Sequence, residues 1–169
     1  MKKPFEVNAA RLTARRKRKK PASFNAKHRG ELAELAFVYK AASLGFAVAK
    51  PYGESGRFDF IVSSGPRLWR VQVKSTYTVR QRGYRIHAYG NKNHGVTLYT
   101  KDEIDLLVVY LVPENSWYVI PIGAVGRRQC LYFYPKATFY PNGNQRGLRR
   151  YEKYREAWEL MSNRKQDVV

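Results

Sequence analysis

Hydrophobic and polar positions along this chain switch between two periods. From Gly30 onward, Leu32, Leu35, Ala36, Tyr39 and Ser43 recur at three- and four-residue spacing up to Gly45, which predicts a helix over residues 31–44. The pattern then becomes strand-like. Residues 46–50, 58–62 and 68–75 read as three strands separated by a glycine-bearing loop at 52–57 and a turn at 63–67, an antiparallel meander packed on the helix. Residues 76–103 are rich in Arg, Tyr, Gly and Asn, with room for a short strand at 84–89. Residues 104–112 form the most apolar run, expected as a buried central strand that makes a hairpin with 117–122, and 131–134 reads as a last strand. After a loop at 135–147, Tyr151, Tyr154, Trp158 and Met161 return at helical spacing and predict an amphipathic helix over 151–161. The fold class is α+β: a mixed sheet between an N-terminal and a C-terminal helix.

Charge adds a partner to this outline. The chain of 169 residues carries 32 Lys and Arg against 13 Asp and Glu, a net charge of +19. Residues 1–28 hold ten of the basic side chains and one acid, Glu6, without apolar periodicity, and read as a disordered basic arm; Lys17 and Arg18 are its candidate phosphate contacts. The remainder keeps 22 basic and 12 acidic side chains, so a globular unit over 29–161, followed by a frayed tail at 162–169, is itself basic. Nucleic acid is the partner such a surface selects. Interleaved arginine and tyrosine at 76–103 suit backbone gripping and base stacking, which nominates Arg80, Arg82 and Arg85, with Ser75 beside them. A surface hairpin accounts for the same composition equally well.

Cys130 is the single cysteine, so the reading is a reducing compartment, the cytoplasm, with no disulfide framework. No apolar run follows the charged N-terminus, none approaches the ~20 residues of a membrane span, and the three histidines lack zinc-ligand spacing.

Candidate chemistry collects around residues 55–75. Side chains alternate along a strand, so Gln72 and Lys74 share a face, and Asp59 heads the preceding strand. Phosphodiester hydrolysis needs charge neutralisation at phosphate and an activated water, both of which a divalent ion supplies. Magnesium takes hard oxygen ligands: Asp59 as anchoring carboxylate, the Gln72 amide oxygen, the Val73 carbonyl, and a carboxylate from the first helix, Glu34, directly or through water. Lys74 would hold the attacking water or the developing charge. Taken singly, Asp59 is equally a turn residue, and Gln72 and Lys74 the solvated side of an edge strand. The order helix carboxylate, strand, Asp strand, Lys strand is what brings the four together at one sheet edge.

These segments resemble the PD-(D/E)XK nucleases, and within them the bacterial group I intron-associated endonucleases, a branch that includes intron homing enzymes. The resemblance rests on Arg-Gly-Glu-Leu-Ala-Glu at 29–34, Leu-Gly-Phe-Ala-Val at 44–48, Lys-Pro-Tyr-Gly-Glu-Ser-Gly-Arg-Phe-Asp at 50–59 and Val-Gln-Val-Lys-Ser-Thr at 71–76. It continues in Glu-Ile-Asp-Leu-Leu-Val-Val-Tyr at 103–110, Trp-Tyr-Val-Ile-Pro at 117–121 and Tyr-Arg-Glu-Ala-Trp-Glu-Leu at 154–160. It implies a restriction-endonuclease-like core and a Mg- or Mn-dependent endonuclease acting on double-stranded DNA. The implied site is Asp59, Gln72, Lys74 and a helix carboxylate matched to Glu34 rather than Glu31, with Arg57 touching phosphate. Gln72 departs from the superfamily's usual acid but agrees with this branch; it removes a negative charge, which weakens ion affinity and argues against a second metal. Phe58 stands where family members tend to carry a proline or polar residue. Double-strand cutting implies a homodimer or tetramer. A catalytically silent DNA-binding protein, a Holliday junction resolvase and a restriction-like enzyme are the alternatives.

Overall fold

The computed structural model describes residues 25–53, 56–80, 83–92, 95–136 and 150–162. Lys17 and Arg18 with most of the basic arm, Arg82, most of the loop expected at 135–147 and nearly all of the tail lie outside these residues.

Helix α1 spans Ala26–Ser43 and starts five residues before the predicted 31, because Asn25 caps it: its Oδ1 accepts the His28 N–H at 2.8 Å. Gly45, at φ 86°, supplies the left-handed turn that ends the helix and leads the chain into the sheet. The buried stripe is Ala33, Phe37 and Ala41. This corrects the face expected from Leu32, Leu35 and Tyr39: Leu35 and Tyr39 are 66% and 78% exposed. Small alanines let the helix approach the sheet closely, and Phe37 fills the space with rings of Phe60, Trp117 and Trp158 at 5.2, 6.2 and 6.1 Å. Glu34, next to Ala33, is thereby drawn to the edge of the interface.

The strands are β1 (Ala47–Ala49), β2 (Phe60–Ser63), β3 (Leu68–Thr76), β4 (Tyr84–His87), β5 (Tyr89–Lys92), β6 (Gly95–Leu98), β7 (Leu106–Leu111), β8 (Ser116–Pro121) and β9 (Cys130–Phe133). A one-turn helix α2 (Ile122–Val125) follows β8. Five strands form the main sheet in the order β1-β2-β3-β7-β8. Its β1-β2-β3 meander and β7–β8 hairpin are antiparallel as expected, whereas β3 and β7 pair in parallel from Val71↔Leu106 to Thr76↔Leu111. β4 pairs with β9, and β5 with β6.

Alternation along β3 and β7 divides the core in two. Val71, Val73, Leu106 and Val108 pack under α1 with Trp158 and Met161. Leu107 and Val109 face the other way, into a second cluster with Tyr84, Tyr118, Leu131 and Phe133. The C-terminal segment corrects a prediction: two 3-10 turns, Glu152–Tyr154 and Trp158–Met161, replace the helix. Between them Arg155 bridges Tyr118, and Glu156 takes φ 50° while its N–H donates to the Trp117 carbonyl and its Oε1 accepts the Trp117 N–H, both at 2.8 Å. Pairing with β8 outcompetes helical bonds there. No described helix is long and apolar enough to cross a membrane.

Candidate active site

The register creates the site. β2 makes its last pairing with β3 at Phe60↔Val71, and β3 runs on through Thr76, leaving an uncovered edge. Asp59, one residue ahead of β2, closes the corner: its N–H donates to the Val71 carbonyl at 2.9 Å, and its Oδ2 accepts the Val73 N–H at 2.8 Å. The same oxygen accepts an N–H from Gln72 Nε2 at 2.6 Å, and that nitrogen also reaches the Val73 carbonyl at 3.3 Å. Among the described residues Asp59 Oδ1 takes none of these bonds.

A cleft of about 480 Å³ lies along this edge, and Glu34, Asp59, Gln72, Val73, Lys74 and Ser75 all line it. Of the two helix carboxylates, Glu34 faces the cleft, while Glu31 lies 3.6 Å from His28. Arg29, Tyr77 and Thr78 complete the wall, with Arg29 placed over the Tyr77 ring.

Burial pushes the Asp59 carboxyl above its ordinary value, and the charge of Glu34 adds to this; the Val73 N–H, the Lys74 charge and the Gln72 amide pull the other way without cancelling it. An anion disfavoured in this manner is a place for a cation. The donors are hard oxygens: the Asp59 and Glu34 carboxylates, the Val73 carbonyl and the Gln72 amide oxygen, so the residues fit a magnesium-type ion that keeps several waters. Among the described residues no three of His, Cys, Asp and Glu come together. Two carboxylates with neutral oxygens would have to hold such an ion.

A second cleft of about 630 Å³ continues from the first, sharing Ala26, Lys74, Ser75, Thr76 and Thr78 and adding Arg80, Arg85 and His87. Burial and the charges of Arg85, Lys74 and Arg80 hold His87 below its ordinary value. Its Nδ1 stands 3.7 Å from Cys130 Sγ, a neighbour for the cysteine that sequence did not provide.

Arg57 departs from expectation. Its guanidinium donates to the Thr97 and Leu98 carbonyls at 3.0 and 3.2 Å, pairs with Glu103 at 3.3 Å and lies over the Tyr99 ring at 4.7 Å. With its side chain 16% exposed, it braces β6 in this structure. Two residues went unnoticed in the sequence. Lys50 bonds to Glu34 Oε2 at 2.8 Å, and Tyr99 lies beneath Lys74 Nζ at 5.6 Å. Lys50 sits inside the Lys-Pro-Tyr segment of the resemblance, which offered a signal; Tyr99 had none.

One solved structure agrees with this architecture. A bacterial homing endonuclease, I-Ssp6803I, superposes with a TM-score of 0.67 at 24% identity, over 82% of this chain and 93% of that one, and shows the restriction-endonuclease-like fold. The Holliday junction resolvase Hjc of Archaeoglobus fulgidus gives 0.42 at 15% identity over 63% and 84%. MepB gives 0.46 at 13% over 72% and 93%. No curated protein matches the chain. The PD-(D/E)XK endonuclease model matches residues 24–159, from the cap of α1 to the second C-terminal turn with the whole cleft between, and the chain belongs to that family.

Proposed function

We propose that this protein is a Mg- or Mn-dependent endonuclease that hydrolyses phosphodiester bonds of double-stranded DNA, of the intron-homing type. The observation that carries the reading is the convergence of Glu34, Asp59, Gln72, Val73 and Lys74 on one cleft at the uncovered edge of β3, in a chain of this family. When bound there, a divalent ion would supply charge neutralisation at phosphate and a more acidic water. Asp59 and the Val73 carbonyl would anchor it, with Gln72 and Glu34 completing the shell. Lys74 would direct its ammonium at the attacking water or the phosphate oxygen on which charge develops. The adjoining cleft offers Arg80 and Arg85, with Ser75 between the two clefts, as contacts for neighbouring phosphates. Lys17, Arg18 and Arg82 join them in this proposal from charge alone. Cutting both strands takes two such sites, hence a homo-oligomer, and DNA as substrate with a lone cysteine fits work in the cytoplasm.

The test is cleavage of linear, supercoiled and branched DNA with and without magnesium. Asp59→Ala should abolish metal-dependent cleavage, Lys74→Ala should leave only a residual rate about 100- to 1000-fold lower, and both should leave DNA retention within about threefold. Cleavage undiminished by either substitution would overturn the site. Preference for branched DNA would reassign the substrate to junctions, and binding without cutting on every substrate would leave a silent DNA-binding protein.

A further inference from the structure

We propose that Tyr99, held in place by Arg57, is a positioning residue for Lys74. The inference rests on the reading of Lys74 as the group that acts on water or phosphate. Lysine has a flexible four-carbon stem and a point charge, so its position in an open cleft must be imposed from outside. Lys74 Nζ lies 5.6 Å from the centroid of the Tyr99 ring, within reach of the ring's negative face. Tyr99 is 7% exposed and sits in the core cluster on that side of the sheet, so the ring is a fixed platform.

Arg57 fixes the platform in turn. Its guanidinium also lies over Tyr99, at 4.7 Å, while its Nη2 donates to the Thr97 and Leu98 carbonyls and its Nε stands 3.3 Å from a Glu103 carboxylate oxygen as an ion pair. Gly90 leaves the space this needs: a Cβ there would meet Arg57 Nη1 at 2.8 Å and the Tyr99 hydroxyl at 3.1 Å. Hairpin β5–β6, the strand-end tyrosine and the arginine ahead of Asp59 thus form one brace whose free end is the lysine. Displacement of a reacting group by about 1 Å can cost about 100-fold in rate, and the brace guards against that.

Two measurements test it together. Ring currents from Tyr99 should shift the Lys74 ε-methylene resonances upfield in the wild type and in Tyr99→Phe, and the shift should vanish in Tyr99→Leu; this readout needs no cleavage. In DNA cleavage, Tyr99→Leu should lower kcat about 10- to 100-fold with KM within about twofold, and Tyr99→Phe should recover most of the rate. Tyr99→Leu should have no further effect on the residual rate of Lys74→Ala, because it acts through that lysine. If Tyr99→Leu does not fold, Gly90→Ala crowds the Arg57 tip and the Tyr99 hydroxyl from outside the core, and its kcat should fall in step with any loss of the Lys74 ring-current shift. Full kcat in Tyr99→Leu, full kcat in a Gly90→Ala protein that has lost the ring-current shift, or additivity with Lys74→Ala overturns the inference while Lys74 keeps its role. Cleavage undiminished by Lys74→Ala overturns the functional reading and this inference with it.

Discussion

Gln72 donates its side-chain N–H to Asp59 Oδ2 at 2.6 Å, where the usual acid of the superfamily would set a second carboxylate against the first. The bond makes the metal-free site tolerable, since the Asp59 oxygen that also receives the Val73 N–H gains a second donor from the same strand. Gln72→Glu removes that donor and adds a like charge in a partly buried corner. Without divalent ion it should lose about 1–3 kcal/mol, a fall in Tm of about 2–4 °C per kcal/mol for a chain of this size. Manganese should restore more stability to the variant than to the wild type. Equal Tm values in EDTA would show that the amide bond contributes nothing.

Asp59 itself is held in a costly state. Its folded pKa is raised, chiefly by burial, so its contribution to stability is full below the unfolded value and is lost as pH rises through the folded one. At neutral pH the ionised carboxylate is therefore a net penalty. Asp59→Asn should stabilise the metal-free protein at pH 7 by about 0.5–2 kcal/mol, the usual size of such gains. The difference should shrink toward acid pH, where wild-type Asp59 is protonated. Thermal melts of both proteins from pH 4 to 8 in EDTA check the sign, and the same substitution should abolish stabilisation by manganese.

Period-two alternation made β2, β3 and the hairpin β7–β8 legible, and the same alternation put Gln72 and Lys74 on one face; spacing alone fits an edge strand equally well, and the order of the elements together with the family resemblance singled these residues out. What spacing does not carry is the partner of an apolar strand: β7 reads as buried whichever neighbour it takes, and its parallel pairing with β3 depends on the long excursion through β4–β6. The C-terminal segment misled for a related reason. Tyr151 to Tyr154 and Trp158 to Met161 are both three apart, which a 3-10 turn satisfies as readily as an α-helix. Glu156 gives no glycine-like signal for its φ of 50°. Tyr99 and Lys50 act through contacts 25 and 16 residues away in sequence, across elements whose packing only the fold defines.

Lys50 occupies the cationic role at Glu34. Its ammonium bonds to Oε2 at 2.8 Å, and that bond, followed by the Glu34 charge, raises its pKa, with Asp59 and Glu31 adding to the effect. A divalent ion that recruits Glu34 must displace it. Lys50→Ala should therefore tighten manganese binding about two- to fivefold, what removing an exposed pair worth ~0.2–1 kcal/mol returns. Calorimetric titration of wild type and variant measures this directly. Unchanged affinity would mean that Glu34 stays with Lys50 and takes no part in the shell.

Arg70 and Asp105 staple the starts of β3 and β7, the two strands that run on in parallel register past the end of β2. Arg70 Nε and Nη2 each donate to an Asp105 oxygen at 3.1 Å, and the Arg70 backbone N–H donates to Oδ2 at 2.8 Å. Burial alone would push the Asp105 carboxyl up, but the Arg70 side-chain and backbone bonds and the charge behind them outweigh it and hold it below the ordinary range. A depressed carboxylate stabilises fully above its unfolded pKa, and the contribution is lost as pH falls through the folded one. Asp105→Asn should accordingly cost about 1.5–3 kcal/mol at neutral pH, the range for hydrogen bonds to charged groups. The gap from wild type should narrow only in strong acid, below the usual carboxylate range. Denaturant melts followed from pH 7 down through the carboxylate range into stronger acid separate this charge-dependent loss from a packing defect, which would persist unchanged throughout.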